Sequence, residues 1–231
     1  MTSVTNALKA RISTRAYQDK PVPKEVIEEI LEVASRAPSG GNTQPWHLYV
    51  LTGDAREELV RTMRDPKVFK KNKQEYAVYP SKATEPRKFS ERKRAVAFDM
   101  YDLMGVDRND NAGRAQAMAK NWEFFGAPVG ILVSVDRACD RNAWGHTGML
   151  LQSICLLAEE RGLATCLQEA WGNLDAVPEF LKLPESEVLW CAIALGYPDK
   201  DAPVNKIQTT REPLDQFVRW HGFDSLPSSK L

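Results

Sequence analysis

The 231-residue chain is poor in the features that mark most function classes. It has four cysteines, Cys139, Cys155, Cys166 and Cys191, and no two form a CxxC pair. That spacing excludes zinc ribbons and thioredoxin-type redox motifs, and it fits reduced thiols in a cytoplasmic protein. The three histidines, His47, His146 and His221, are scattered and make no metal-ligand pattern. Charge of one sign is lacking: 31 Lys and Arg balance 31 Asp and Glu, which gives no footprint for nucleic acid or an anionic membrane. No apolar run approaches the roughly 20 residues that span a bilayer. The opening MTSVTNALKARIS has none of the apolar stretch of a secretion signal. GxGxxG, GxxxxGK[ST] and GxSxG are all absent, so neither the common phosphate-loop folds nor an α/β-hydrolase is indicated.

What is present reads as one α+β domain of four or five strands flanked by helices, without a strict βαβ rhythm. TNALKA predicts a short first helix capped by Thr5 or Asn6. RISTRAYQDKPVP reads as extended. An apolar stripe of Val26, Ile27, Ile30, Leu31 and Ala34 predicts a helix over 24–36. WHLYVL, APVGILVSV, ATCLQ and VLWCAIALG predict strands. Helices are expected over 55–64, 91–104, 114–125 and 174–181. The longest, over 143–161, should be closed by Gly162. Residues 65–125 form a charged excursion. Its Phe69, Tyr76, Tyr79, Phe89, Trp122 and Phe125 are candidates for a lid or specificity element, and each is equally an ordinary packing residue. The polar tail carries FVRWHGF, whose aromatics need a surface to cover them and suggest an arm over 197–231.

Two segments are candidates for a binding site. Alternation along an extended chain puts Arg11, Ser13 and Arg15 on one face, suited to a phosphate or an electron-rich ring edge. Alternating charge is also usual on a solvated edge strand, and spacing alone favours that reading. The second segment, APSGGNTQPW, holds two glycines and two stiffening prolines. Its backbone can be approached closely, and Ser39, Asn42 and Gln44 offer neutral hydrogen bonds. A plain connection would also use Gly and Pro, but about 2–6 residues suffice for one.

In order and spacing these segments resemble the nitroreductase-like flavoprotein family. RISTR is similar to that family's first flavin segment, and PVPKEVIEEILEVASRAPSGGNTQPWHLYVL to its helix–loop–strand stretch. GHTGMLLQSICLLAEERGLATC is similar to its central helix and flavin-facing strand, and ALGYPD and REPLDQFV complete the pattern. The resemblance covers most of the chain.

It implies a mostly antiparallel sheet in a domain-exchanged homodimer, with FMN at the subunit interface and NADPH or NADH as electron donor. Arg11 and Ser13 match contacts to the phosphate and ribityl chain, and Arg15 matches the cation near the flavin N1–O2 edge. Pro38, Ser39, Gly40, Asn42 and Gln44 match the loop offered to the flavin by the partner chain. Gln168 and Glu169 match the segment whose backbone faces N5 and O4, and Arg211 matches a C-terminal phosphate clamp. Asn205 stands where some relatives carry a cation. The implied activity is ping-pong reduction of nitroaromatic or quinone-like acceptors by hydride transfer through flavin N5, with no protein acid or base required. Two alternatives remain. The iodotyrosine-deiodinase branch is also similar, but it uses a hydroxyl near N5, whereas Leu167, Gln168 and Glu169 supply no threonine. The other is a flavin-binding protein of low turnover.

Overall fold

The computed structural model describes residues 2–70, 81, 84–139, 141–172 and 174–222, with only the backbone of residues 69 and 70. Four strands form one sheet: β1 (Trp46–Thr52), β2 (Val129–Asp136), β3 (Ala164–Gln168) and β4 (Glu187–Gly196). Their order is β1-β2-β4-β3, and every pair is antiparallel.

Period-2 alternation explains the sandwich built on this sheet. Val129, Ile131 and Val133 of β2, with Cys191, Ile193 and Leu195 of β4, face one core. That core is closed by Ile27, Ile30 and Ala34 of α2 (Lys24–Ala34) and by Leu150, Leu151, Ile154 and Ala158 of α6 (Asn142–Glu160). Leu132, Ala192 and Ala194 point the other way, toward Leu59, Val60 and Met63 of α3 (Gly53–Met63) and toward Phe124 and Trp171. Both faces of β2 are therefore buried, which is why it reads as an unbroken apolar run.

Most element boundaries follow local signals. Gly162 ends α6 with φ +70; its N–H donates to Glu159 O and that of Leu163 to Ala158 O, the paired bonds of a left-handed glycine cap. The first helix, α1 (Val4–Ala10), is capped by Ser3, not by Thr5 or Asn6: Ser3 Oγ accepts from Asn6 N–H at 3.2 Å. α4 (Arg87–Leu103) starts earlier than expected. The helix expected over 114–125 is α5 (Asn111–Ala119), followed by a 3₁₀ segment, Lys120–Gly126. Phe124 and Phe125 there adopt φ +52 and +54, left-handed values that interrupt any right-handed helix. The Phe124 ring stacks on Trp171 at 4.4 Å and lies over Gly130, where any Cβ would press into it. Tertiary packing overrides helical periodicity at this point. A last short helix, α7 (Ala176–Leu181), precedes β4. Among the described residues no helix is long and apolar enough to cross a membrane.

Candidate functional site

β3 is an edge strand, and the extended chain after α1 runs beside it. Thr14 N–H donates to Thr165 O at 3.0 Å. Further on, Gln18 N–H donates to Tyr197 O, Asp199 N–H donates to Ala16 O, and Tyr17 pairs with Pro198. Residues 14–18 are thus clamped between β3 and the chain leaving β4. Asn205 closes the clamp. Its Oδ1 accepts from Arg15 N–H at 2.7 Å, and its Nδ2 donates to Ala16 O and Asp199 O, both at 2.8 Å.

This frame fixes Arg11, Ser13 and Arg15, all half-buried. Arg15 donates to Ser13 O at 3.1 Å, and its guanidinium lies 5.8 Å from the Phe125 ring centre. The Ser13 side chain sits against the Cys166 thiol. Burial pushes that thiol up to about 11, opposed by the cations of Arg15 and Arg11. Arg11 also acts on Glu159, whose carboxyl burial raises and the guanidinium lowers. Arg11, Ser13 and Arg15 thus all act on one thiol of β3.

Because Thr165 O points away from β4, the alternation of the strand turns the N–H and C=O of Leu167 toward the same open edge. The Leu167 side chain is exposed. Gln168 is buried; its Nε2 donates to Asn121 O at 2.8 Å, and its Oε1 has no partner. Glu169 is exposed.

The 37–46 loop sits elsewhere on the chain. Ala37 and Pro45 are buried at its ends, and Pro38, Gly40, Asn42 and Gln44 are exposed. Gly41, Asn42 and Gln44 take φ of +59, +58 and +47. Ser39 Oγ accepts from Gln44 N–H at 3.0 Å, and Gln44 Nε2 donates to Asn42 O at 3.2 Å. Among the described residues no hydrogen bond joins this loop to the Arg11–Arg15 segment.

Arg211 follows Asn205 along the chain that leaves β4. It lies on a groove of about 870 Å³ between α4 and residues 208–217, together with Lys88 and Arg92. Its guanidinium donates to Thr209 O, Thr209 Oγ1 and Thr210 O. Of the aromatics expected on the excursion, the Phe69 side chain, Tyr76 and Tyr79 lie outside the described residues, as does Phe223 of the tail. Phe89 and the tail's Phe217 and Trp220 are exposed.

The roles of three contributors were not legible in the sequence, although the resemblance had marked the position of Asn205. Asn205 acts on residues 190 positions away, His146 meets Gly40 across 106, and Gly130 makes room for Phe124. The unusual length of the 37–46 loop pointed to more than a plain connection, but nothing in the sequence pointed to His146.

The profile of the Nitroreductase family matches residues 8–197. The chain is 34% identical to 4-nitrobenzoate reductase of Pseudomonas putida over 220 residues, 93% of this chain and 94% of that protein. It is 33% identical to chloronitrobenzene nitroreductase of Comamonas testosteroni over 221 residues, 93% and 95% of the two chains. Among solved structures, the FMN and NADPH-dependent nitroreductase NfnB from sphigopyxis sp. strain HMH superposes with a TM-score of 0.90 at 36% identity. That match covers 96% of this chain and all of the other.

Proposed function

The chain belongs to the nitroreductase family, and from that premise we propose that it binds FMN and reduces nitroaromatic acceptors with electrons from NADPH or NADH. The observation that carries this reading is the pairing of the Arg11–Ser13–Arg15 face with the open backbone edge at Leu167. Such a donor set fits the cofactor. Two guanidinium groups and a hydroxyl suit a phosphate and an electron-rich ring edge. A strand edge whose Leu167 C=O is held among the described residues by a long 3.8 Å contact from the Cys166 thiol suits the alternating donors and acceptors of a flavin ring. The unpartnered Gln168 Oε1 beside it is a further polar group open to a new arrangement.

FMN, when bound, supplies two-electron redox chemistry between the nicotinamide and the nitro group. The residues of the chain bind and orient. Arg15, held by Asn205 and backed by Phe125, keeps a fixed positive charge beside the ring edge that becomes electron-rich on reduction. Arg11 and Ser13 hold the phosphate and ribityl chain, and the Leu167–Glu169 backbone offers hydrogen bonds to the ring. Pro38, Ser39, Gly40, Asn42 and Gln44 provide a low wall of small side chains. Because no hydrogen bond joins that loop to the Arg11–Arg15 segment among the described residues, the wall comes from a second subunit, and Arg211 adds a clamp on the phosphate. A homodimer would also cover Met149, Leu167, Phe217 and Trp220, which are exposed in the single chain. Residues 1–231 act as one cofactor domain with a lid near 65–125 and an arm near 197–231. Donor and acceptor alternate in one site, quinones serve as further acceptors, and the protein works in the cytoplasm.

The test is turnover. With FMN present, NADPH or NADH oxidation should depend on 4-nitrobenzoate, and the reduced arene should accumulate. A protein that binds FMN but oxidises neither nucleotide would refute the enzymatic reading and favour a passive flavin binder or a dehalogenase.

A further inference from the structure

The 39–44 loop is shaped by bonds within itself. Asn42 N–H donates to Ser39 O at 3.0 Å, Thr43 N–H to Gly40 O at 3.2 Å, and Gln44 N–H to Ser39 Oγ at 3.0 Å. None of these attaches the loop to the rest of the fold. Among the described residues one hydrogen bond does: Gly40 N–H donates to His146 Nε2 at 3.2 Å. The contact uses the lone pair of Nε2.

A second observation marks the same contact. A Cβ on Gly40 would stand 3.2 Å from His146 Cε1 and 3.4 Å from Nε2. A side chain at 40 would press on the ring, which would have to give by a few tenths of an ångström, so glycine lets the two meet without strain. The fold brings the two together. α2 and α6 pack side by side over one core, and the loop leaves the end of α2 near the first turns of α6, where His146 stands half-buried.

We propose that His146 is the positioning residue of the flavin-facing loop, pinning its backbone at Gly40 so that the residues around it keep their shape for the cofactor. This rests on the reading that the loop meets FMN. His146 itself need touch neither FMN nor substrate. Its effect is transmitted through one backbone amide into a loop with three residues at positive φ, which has no other hydrogen bond to α6 among the described residues.

The test uses the full chain and three variants. His146→Gln keeps an acceptor at the reach of Nε2, His146→Leu removes it, and Gly40→Ala pushes on the ring from the loop side. Two readouts are needed: exchange of the Gly40 amide in FMN-free protein, and the FMN dissociation constant by fluorescence titration. His146→Leu should speed exchange at Gly40 and weaken FMN about 2- to 10-fold, the effect of one hydrogen bond. Gly40→Ala should weaken FMN similarly, and His146→Gln should restore most of the affinity with the melting temperature held. Should His146→Leu fail to fold, Gly40→Ala and His146→Gln still decide the matter. Gly40 exchange indifferent to position 146, or FMN affinity unmoved in His146→Leu and Gly40→Ala, overturns the proposal. A wild-type chain with a protected Gly40 amide that binds no FMN overturns the cofactor reading, and the positioning role with it.

Discussion

Replacing Asn205 with leucine should weaken both the fold and the cofactor site. Leucine keeps the branched heavy-atom outline of asparagine, with more bulk, and none of its hydrogen bonds. Three hydrogen bonds are lost at once: from Arg15 N–H at 2.7 Å, and to the carbonyls of Ala16 and Asp199 at 2.8 Å each, of which Ala16 O keeps the Asp199 N–H. The site is half-buried, so water replaces part of what is lost. At about 1 kcal/mol for each group, Asn205→Leu should cost about 2–4 kcal/mol. For a chain of this size that lowers the melting temperature by about 5–15 °C. The side chain grips the backbone of Arg15, so the loss should also reach FMN through the Arg15 guanidinium. Thermal melts and FMN titrations of Asn205→Leu, Arg15→Ala and the double variant separate the two effects. The stability costs should add. The effect on FMN affinity should not, because Asn205→Leu has little left to disturb once the guanidinium is gone. A melting temperature within about 1 °C of wild type, or affinity losses that add fully, would refute the clamp.

Other expectations follow from the same contacts. Gly130→Ala should cost about 1–3 kcal/mol in urea unfolding, because a methyl there overpacks the buried Phe124 ring, and Phe124→Leu in the same chain should recover part of it. An unchanged midpoint would show that the strand or ring shifts without cost. Arg15→Ala should lower FMN retention through purification, and wild-type flavin content in that variant would remove Arg15 from the site. Stability should also fall at alkaline pH. Burial holds Cys166 at about 11 against an ordinary 9.0, and burial with the Tyr49–Glu187 hydrogen bond holds Tyr49 at about 12 against 10.0. Both are raised in the folded chain, so their contribution is intact below about pH 8.5 and is lost from about pH 9 to 12. Cys166 alone accounts for on the order of 2–3 kcal/mol. A flat stability profile to pH 11 would contradict this. In thiol titration of the native protein at pH 8, the partly exposed Cys139 should react, and the buried Cys155, Cys166 and Cys191 only after unfolding.

The sheet and long helices were legible because their signals are local. The apolar run of β2 and the stripe of α2 write burial directly into adjacent residues, and Gly162 writes the end of α6. From spacing the Arg11–Ser13–Arg15 face was legible as a pattern and only the resemblance marked it as a site, since alternation says nothing about what lies beside it. What makes it a candidate is β3, about 150 residues further on, and that adjacency exists only in the fold. The 120–126 segment misled for the opposite reason. Its helical periodicity is real, yet Phe124 must turn inward over Gly130 and against Trp171, and two left-handed residues are what that turn requires. Asn205 and His146 are single polar residues in ordinary surroundings, and nothing near them in sequence marks the backbone groups they hold.

The central claim is that this chain moves electrons from a nicotinamide to a nitroarene through bound FMN. The most direct measurement is anaerobic stopped-flow of the FMN-loaded protein, following flavin absorbance. Rapid bleaching on mixing with NADPH or NADH, then rapid recovery on adding 4-nitrobenzoate, is the result predicted. A flavin that bleaches with dithionite but with neither nucleotide would contradict the account.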